Sequence, residues 1–201
     1  MSYSIVGFGK IGQALAHAFA RNNIDVTVAS RRSPAELAPQ AREIGPTVTA
    51  TSLQEALKAD IIFLAVLFEQ HPEVAKALPS WKGKTIVDTT NAFGVAPEDL
   101  DDLPSSAFVA KAFDGAKVVK GFNHLGAAKL ATDPMVGGGH RVVFLSSDDE
   151  KAIALVEDLA KQLGFAPVKL GTLNEGGGAL VHARGQVWGP LIFQDLFKAQ
   201  Q

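Results

Sequence analysis

The sequence of 201 residues contains no cysteine, which excludes disulfide bonds, thiolate metal sites and a cysteine nucleophile. It also has no apolar run long enough to cross a bilayer. Because the first strand pattern begins at Tyr3, we expect no signal peptide ahead of the fold. Neither sign of charge dominates, since 19 basic and 21 acidic residues give a net charge of −2. We therefore expect a cytoplasmic protein that binds neither membranes nor nucleic acid.

A glycine pattern lies between the first predicted strand, residues 3–6, and the first predicted helix. Glycines at these places permit a tight exit from a strand, close approach of a pyrophosphate and close packing of the helix on the sheet. The free N–H groups at the start of the helix can bind the phosphates. The alternative is a glycine-rich turn without a ligand. The strand–helix–strand setting favours a dinucleotide site, whose residues are Gly7, Phe8, Gly9, Lys10, Ile11 and Gly12.

The end of the second predicted strand indicates which dinucleotide binds. Enzymes that prefer NAD place a carboxylate about 20 residues after the glycines, where it binds the ribose 2′-hydroxyl. This chain has Ser30, Arg31 and Arg32 there. Guanidinium groups form charge-assisted hydrogen bonds with phosphate, which the 2′-position of NADP carries. A solvated basic turn is the alternative, but the offset favours NADP(H) over NAD(H).

A continuous apolar run over residues 61–67 predicts a central parallel strand that is covered on both faces. The strand ends at Val66, Leu67 and Phe68. The carboxyl ends of parallel strands form the ligand edge of open α/β sheets. We therefore expect these three residues near the dinucleotide, although Phe68 could equally be a core aromatic.

Two further predicted strands, residues 85–88 and 117–122, end in polar residues at the same edge. Asn91 can donate and accept hydrogen bonds at the carboxamide of nicotinamide, or it can satisfy its own turn. Asn123 and His124 follow the second of these strands. His124 is the candidate for protonation chemistry over the cofactor cleft, and a structural histidine is the alternative. The pattern shows no catalytic triad and no evident buried lysine.

The alternation of strand and helix patterns predicts an α/β, Rossmann-type doubly wound and mostly parallel sheet. Residues 1–173 would form the NADP-binding domain. Residues 174–201 would form a short helical C-terminal extension, in which apolar residues recur at helical spacing from 179 to 197 around a kink at Pro190. Such a segment covers the cleft or packs against a second subunit, so we expect a homodimer. His182 and Arg184 are its polar candidates for a substrate site.

With these residues in hand, the chain resembles the NADPH-dependent coenzyme F420 oxidoreductase family. The resemblance is carried by Gly7–Gly12, Ser30–Arg32, Val66–Glu69, the strand Lys117–Asn123 and the Pro190–Ile192 segment. It implies a Rossmann domain with a small extension, often dimeric, in which Ser30, Arg31 and Arg32 bind the 2′-phosphate. It also implies hydride transfer between NADPH and a deazaflavin. Phe8 and Leu67–Glu69 depart from the Thr or Ser and the Pro-Trp-Glu that are usual there, so a flavin or another small-molecule acceptor remains open.

Two other functions remain as alternatives. The first is an NADP-dependent dehydrogenase or imine reductase of a small substrate, although related β-hydroxyacid dehydrogenases and pyrroline-carboxylate reductases carry a long helical C-terminal domain. This chain has only a short segment after its last predicted strand. The second alternative is a non-catalytic NADPH-binding redox sensor, for which the apolar tail would be an interface.

Overall fold

The structure is a computed structural model that describes residues 1–101, 103–177 and 197–198. These residues form eleven strands and seven α-helices. The strands are β1 (Tyr3–Val6), β2 (Val26–Ala29), β3 (Val48–Ala50), β4 (Ile61–Leu64), β5 (Thr85–Asp88), β6 (Lys117–Gly121), β7 (Met135–Val136), β8 (Gly139–His140), β9 (Val142–Ser147), β10 (Ala166–Lys169) and β11 (Phe197–Lys198). The helices are α1 (Lys10–Arg21), α2 (Pro34–Ile44), α3 (Leu53–Ala56), α4 (His71–Ala75), α5 (Ser105–Ala112), α6 (Ala127–Leu130) and α7 (Glu150–Gln162).

Eight of the strands form one twisted sheet in the order β10-β9-β6-β5-β4-β1-β2-β3. The six strands from β3 to β6 are mutually parallel, and only β9 runs antiparallel to its neighbour β6. The chain leaves β3 and crosses over β2 and β1 to reach β4, so the strand order reverses between β1 and β4. Open α/β sheets bind ligands at such a switch point. The predicted mostly parallel, doubly wound sheet is confirmed.

Each face of the sheet is covered by its own apolar core. On one face, α1 and α7 pack on alternate strand residues, and a row of edge-to-face rings joins Phe19 to Phe63, Phe63 to Phe122 and Phe122 to Phe165 at centroid distances of 5.6 to 5.7 Å. On the other face, α4 and α5 cover a second core that contains Trp81. Strands that are buried on both faces have no polar side to expose, which is why β4 reads as an unbroken apolar run.

The predicted C-terminal helix from 179 to 197 lies outside the described residues, together with His182, Arg184 and Pro190. Its last position, Phe197, is described and belongs to β11, which pairs antiparallel with β8, so the helical prediction is wrong at this residue. Phe197 is β-prone, and backbone pairing with β8 overrides the helical spacing. None of the helices in the described ranges has the length and apolarity that crossing a bilayer requires.

Candidate dinucleotide site

A cleft of about 780 Å³ opens at the carboxyl ends of β1, β2, β4 and β5. The four strands are adjacent in the sheet, and at a general spacing of about 4.8 Å their ends span roughly 14 Å. Its described lining comes from five segments of the chain: Val6–Ile11, Ser30–Arg32 with Leu53, Ala65–Phe68, Gln70 with Glu73 and Val74, and Thr89–Asn91 with Phe93. The cleft therefore contains nearly all the residues that the sequence placed at this edge.

The start of helix α1 faces the middle of the cleft with no side chain capping it. Gly9 is the N-cap residue, it makes no side-chain hydrogen bond, and the first turn carries no acidic residue. By contrast, Ser33, Ser52 and Asp149 cap α2, α3 and α7 with side-chain oxygens. The first N–H groups of a helix have no acceptor within the helix. Together with the helix dipole, the open end of α1 is suited to bind a phosphate group.

The three glycines of the turn have different physical roles. A Cβ on Gly12 would lie 1.9 Å from the carbonyl oxygen of Gly7, so residue 12 must be glycine for the helix to pack on the turn. Gly7 has a φ of +101°, and its Cβ would lie 2.3 Å from the carbonyl oxygen of Ala65. A Cβ on Gly9 would meet nothing within 4 Å. The fold does not require glycine at residue 9, but a phosphate that approaches the backbone does.

The arginine pair lies beside this turn, at the end of β2. The Arg32 guanidinium donates to the Phe8 carbonyl oxygen at 3.4 Å and to Gln40 Oε1 at 3.5 Å, and its backbone N–H donates to Ser30 Oγ at 3.1 Å. Arg31 and Arg32 are both exposed. The ring of Phe8 is buried in the core, so this residue offers the cleft its backbone. Both arginines thus line the cleft next to the open helix end.

The opposite end of the cleft has an apolar rim. Leu67 is 61% exposed and Phe93 is 58% exposed, although both are large apolar residues. Val66 and Phe68 also line the cleft, and the Phe68 ring packs on His71 at a centroid distance of 4.8 Å. Phe68 therefore serves as a core aromatic and as part of the cleft wall. Exposed apolar residues on a cleft rim are typical of a binding surface for a flat apolar ligand.

Asn91 lines the cleft near this rim and is held by Asn123. Its Nδ2 donates to the Asn123 carbonyl oxygen at 2.8 Å, and its Oδ1 accepts from Asn123 Nδ2 at 3.0 Å. An amide has two N–H donors and two acceptor lone pairs, so Asn91 keeps one of each for a ligand. Asn123 is not among the lining residues. It acts on the cleft by fixing the orientation of the Asn91 amide.

The structure places His124 away from the cleft. Phe122 has a φ of +59°, in the left-handed region, and the chain turns there. The His124 ring packs against Phe144 at 5.0 Å, and its Nε2 lies 3.2 Å from the Val142 carbonyl oxygen in β9. Burial lowers the pKa of His124 to about 4, so the ring is neutral at pH 7. Its role in protonation stays a prediction, which this placement does not support.

A buried lysine, which the sequence pattern did not reveal, lies behind the cleft. Lys120 is 1% exposed, and its Nζ is 2.9 Å from Oδ2 of Asp88, which is fully buried. The sequence pattern shows no evident buried lysine, and the structure has one. The sequence does show a lysine inside one apolar strand and an aspartate at the end of another. That the two form an ion pair depends on the strand register, which places Asp88 beside Lys120.

Comparison with known proteins agrees with this geometry. The family model described as NADP oxidoreductase, coenzyme F420-dependent, matches residues 2–92. A crystal structure of a hypothetical protein, SMa0349 from Sinorhizobium meliloti, is 42% identical, covers 88% of each chain and superposes with a TM-score of 0.83. A candidate F420-dependent NADP-reductase from Arthrobacter sp. FB24 is 26% identical over 100% of both chains, with a TM-score of 0.76. By this partial match and by the structural likeness, the chain is similar to F420-dependent NADP oxidoreductases.

The description of the matching family model is that of an NADP oxidoreductase. The matched residues 2–92 contain the glycine turn, both arginines and Asn91. Metalloreductase STEAP3 of Rattus norvegicus is 30% identical over 84% of this chain. Metalloreductase STEAP2 of Homo sapiens is 27% identical over 87%. The chain spans about a third of the length of these curated relatives, 33% and 34%.

The same fold occurs in imine-reducing enzymes. A reductive aminase from Aspergillus terreus, solved with NADPH and ethyl levulinate, superposes with a TM-score of 0.68. It is 22% identical and covers 95% of this chain and 62% of its own. At this identity the likeness shows the fold alone.

Proposed function

We propose that this chain binds NADP(H) across the cleft and transfers a hydride between the nicotinamide and a flat, conjugated ring of the flavin or deazaflavin type. The observation that carries the proposal is the continuity of the cleft. One end has two guanidinium groups beside an uncapped helix start, and the other end has an apolar rim with Leu67 and Phe93 exposed. A phosphorylated dinucleotide matches the first end, and an apolar ring matches the second.

The residues of the cleft would perform the binding and alignment in this reaction. Arg31 and Arg32 would hold the 2′-phosphate, and the N–H groups from Lys10 onward would hold the pyrophosphate. Asn91, oriented by Asn123, has one free donor and one free acceptor for the carboxamide. When bound, NADPH supplies a hydride to an acceptor ring, which also takes up one proton from water. Between two rings, correct alignment supplies much of the rate enhancement.

The experiment is a turnover assay with purified protein. NADPH is mixed separately with F420, FMN, FAD and riboflavin, and the loss of nicotinamide absorbance is followed. We expect turnover with at least one ring acceptor and much slower turnover with NADH. A cyclic imine and a small ketone, tested in the same way, address the dehydrogenase and imine reductase alternative. Binding of NADPH without turnover of any acceptor would contradict the proposal and favour the sensor alternative.

We also propose that the protein is a homodimer. The hairpin β7–β8 leaves Met135 54% exposed and Val136 38% exposed, and large apolar residues on a strand pair suit a protein contact. Sedimentation equilibrium should give twice the mass of 21.2 kDa. A monomer at micromolar concentration would contradict this proposal without affecting the cofactor assignment.

A further inference from the structure

Lys120 is a charged residue inside the apolar core under α4 and α5. It follows Val118 on the same face of β6, and that face packs with Leu100, Val109 and Phe113. The other ion pairs that join two described residues involve groups that are at least 21% exposed, whereas Lys120 is 1% exposed and Asp88 is fully buried. Removing two charges from water is costly, and an apolar pair of similar size often replaces a buried ion pair without loss of stability. The stability of the fold therefore does not by itself explain why an ion pair, and not an apolar pair, occupies these two positions.

The contacts of the pair lead to the wall of the cleft. Lys120 Nζ donates to Asp88 Oδ2 at 2.9 Å and to the Thr90 carbonyl oxygen at 2.5 Å. Asp88 Oδ1 accepts from the Thr90 backbone N–H at 2.9 Å and from the Thr90 hydroxyl at 2.7 Å. Lys120 and Asp88 therefore hold Thr90 by its carbonyl, its N–H and its side chain. Thr90 lines the cleft, and Asn91 follows it directly.

The same contacts determine what the wall can offer a ligand. The Thr90 hydroxyl donates its proton to Asp88, and the Thr89 hydroxyl donates its proton to the Leu64 carbonyl oxygen at 2.8 Å. A hydroxyl has one donor and two acceptor lone pairs. Both hydroxyl oxygens of the segment that leaves β5 can therefore only accept hydrogen bonds from a ligand. An N–H donor, such as the amide of a carboxamide, is the matching group.

We propose that Lys120 is a positioning residue for the nicotinamide end of the cleft, which acts through Asp88 to hold the Thr90 hydroxyl with its proton turned away from the ligand, so that its oxygen can only accept. The inference rests on the proposed binding of NADP(H). Lys120 is not among the lining residues, so it does not touch the cofactor itself. Thr90 follows β5 and the arginines follow β2, so that β4 and β1 lie between them in the sheet. We therefore expect the loss of Lys120 to weaken binding of the nicotinamide half of the dinucleotide and not of the adenosine half.

The test compares two probes by calorimetric titration of the full chain. NADPH reaches both ends of the cleft, whereas 2′,5′-ADP carries only the adenosine half with its phosphates. For Lys120→Met and Thr90→Val we expect about tenfold weaker binding of NADPH, as for the loss of one well-placed hydrogen bond, and binding of 2′,5′-ADP within twofold of the unmodified protein. Lys117→Met is the matched control on the same strand, because its ammonium is exposed and pairs with Asp149 at the surface. It should change neither affinity.

The results separate this inference from the proposed function. Equal losses for both probes, or no loss for either, would overturn the positioning role while leaving NADP(H) binding intact. If the unmodified protein bound neither probe, the proposed function would fail and this inference with it. Should Lys120→Met fail to fold, the double variant Lys120→Met/Asp88→Asn removes the unpaired buried charge. Thr90→Val leaves the ion pair in place, and it must show the same selective loss of NADPH binding.

Discussion

Replacement of the arginine pair by alanine should weaken the binding of NADPH and not that of NADH. Arg31 and Arg32 lie at the cleft end where the 2′-position of the adenosine ribose is expected, and only NADPH carries a phosphate there. We predict that Arg31→Ala and Arg32→Ala each weaken NADPH binding strongly and leave NADH binding nearly unchanged. The double variant should bind the two dinucleotides with similar affinity.

The size of the effect follows from the contacts. A hydrogen bond to a charged group contributes about 1.5–3 kcal/mol, and because both arginines are exposed the lower figure applies. At about 1.4 kcal/mol per factor of ten, each variant loses about tenfold, and the pair about a hundredfold, in NADPH affinity. The present hydrogen bonds of Arg32 to Phe8 and Gln40 are long, at 3.4 and 3.5 Å, so their loss should change NADH affinity by no more than about twofold.

The assay is calorimetric titration with both dinucleotides at two ionic strengths. Screening weakens contacts between exposed charges, so the preference for NADPH should shrink as salt increases. Arg42→Ala is the matched control, since it removes the same charge from α2 at a site where the guanidinium donates only to the Ala38 carbonyl oxygen within its own helix. Equal losses for NADPH and NADH, or an equal loss in Arg42→Ala, would refute the assignment of the arginine pair to the 2′-phosphate.

Three further predictions follow from the site and its surroundings. Gly9→Ala should keep the melting temperature within a few degrees and lose most NADPH binding, whereas Gly12→Ala should lower the free energy of unfolding by several kcal/mol, because its Cβ would lie 1.9 Å from a carbonyl oxygen. Ser30→Asp should reverse the preference toward NADH in the same titrations, and a retained NADPH preference would contradict the role of this position. Burial lowers the pKa of His124 to about 4 from 6.5, so its neutral form stabilises the fold fully above pH 6.5 and less as the pH falls toward 4. Between pH 7 and pH 5, the free energy of unfolding in urea should fall by about 2 kcal/mol less for His124→Gln than for the unmodified protein, and an equal fall in both would contradict this prediction.

The cofactor end of the cleft could be predicted from the sequence because its information is local. Strand, glycine turn and helix follow each other directly, and Ser30–Arg32 come at a fixed offset from them. The rule that parallel strands present their carboxyl ends at one edge then places Val66–Phe68 and Asn91 in the same cleft, as the structure shows.

The parts that could not be predicted depend on long-range register and on single backbone angles. The pairing of Lys120 with Asp88 joins residues 32 positions apart and becomes visible only when β5 and β6 are aligned. Phe122, two residues before His124, has a left-handed φ, which no propensity predicts for a phenylalanine. In the same turn, Asn123 forms a hydrogen bond with Asn91 at the cleft, whereas the neighbouring His124 contacts the Val142 carbonyl oxygen in β9.

The division of labour along the chain has an evolutionary consequence. The described residues that line the cleft all fall between positions 6 and 93, so recombination could exchange the second half of the chain without altering these lining residues. Lys120 limits that freedom, because any incoming half must bring a cation to the strand position beside Asp88. A hybrid without this cation would have an unpaired carboxylate in its apolar core. Such a hybrid would not fold stably, so selection could not act on its use of a new acceptor.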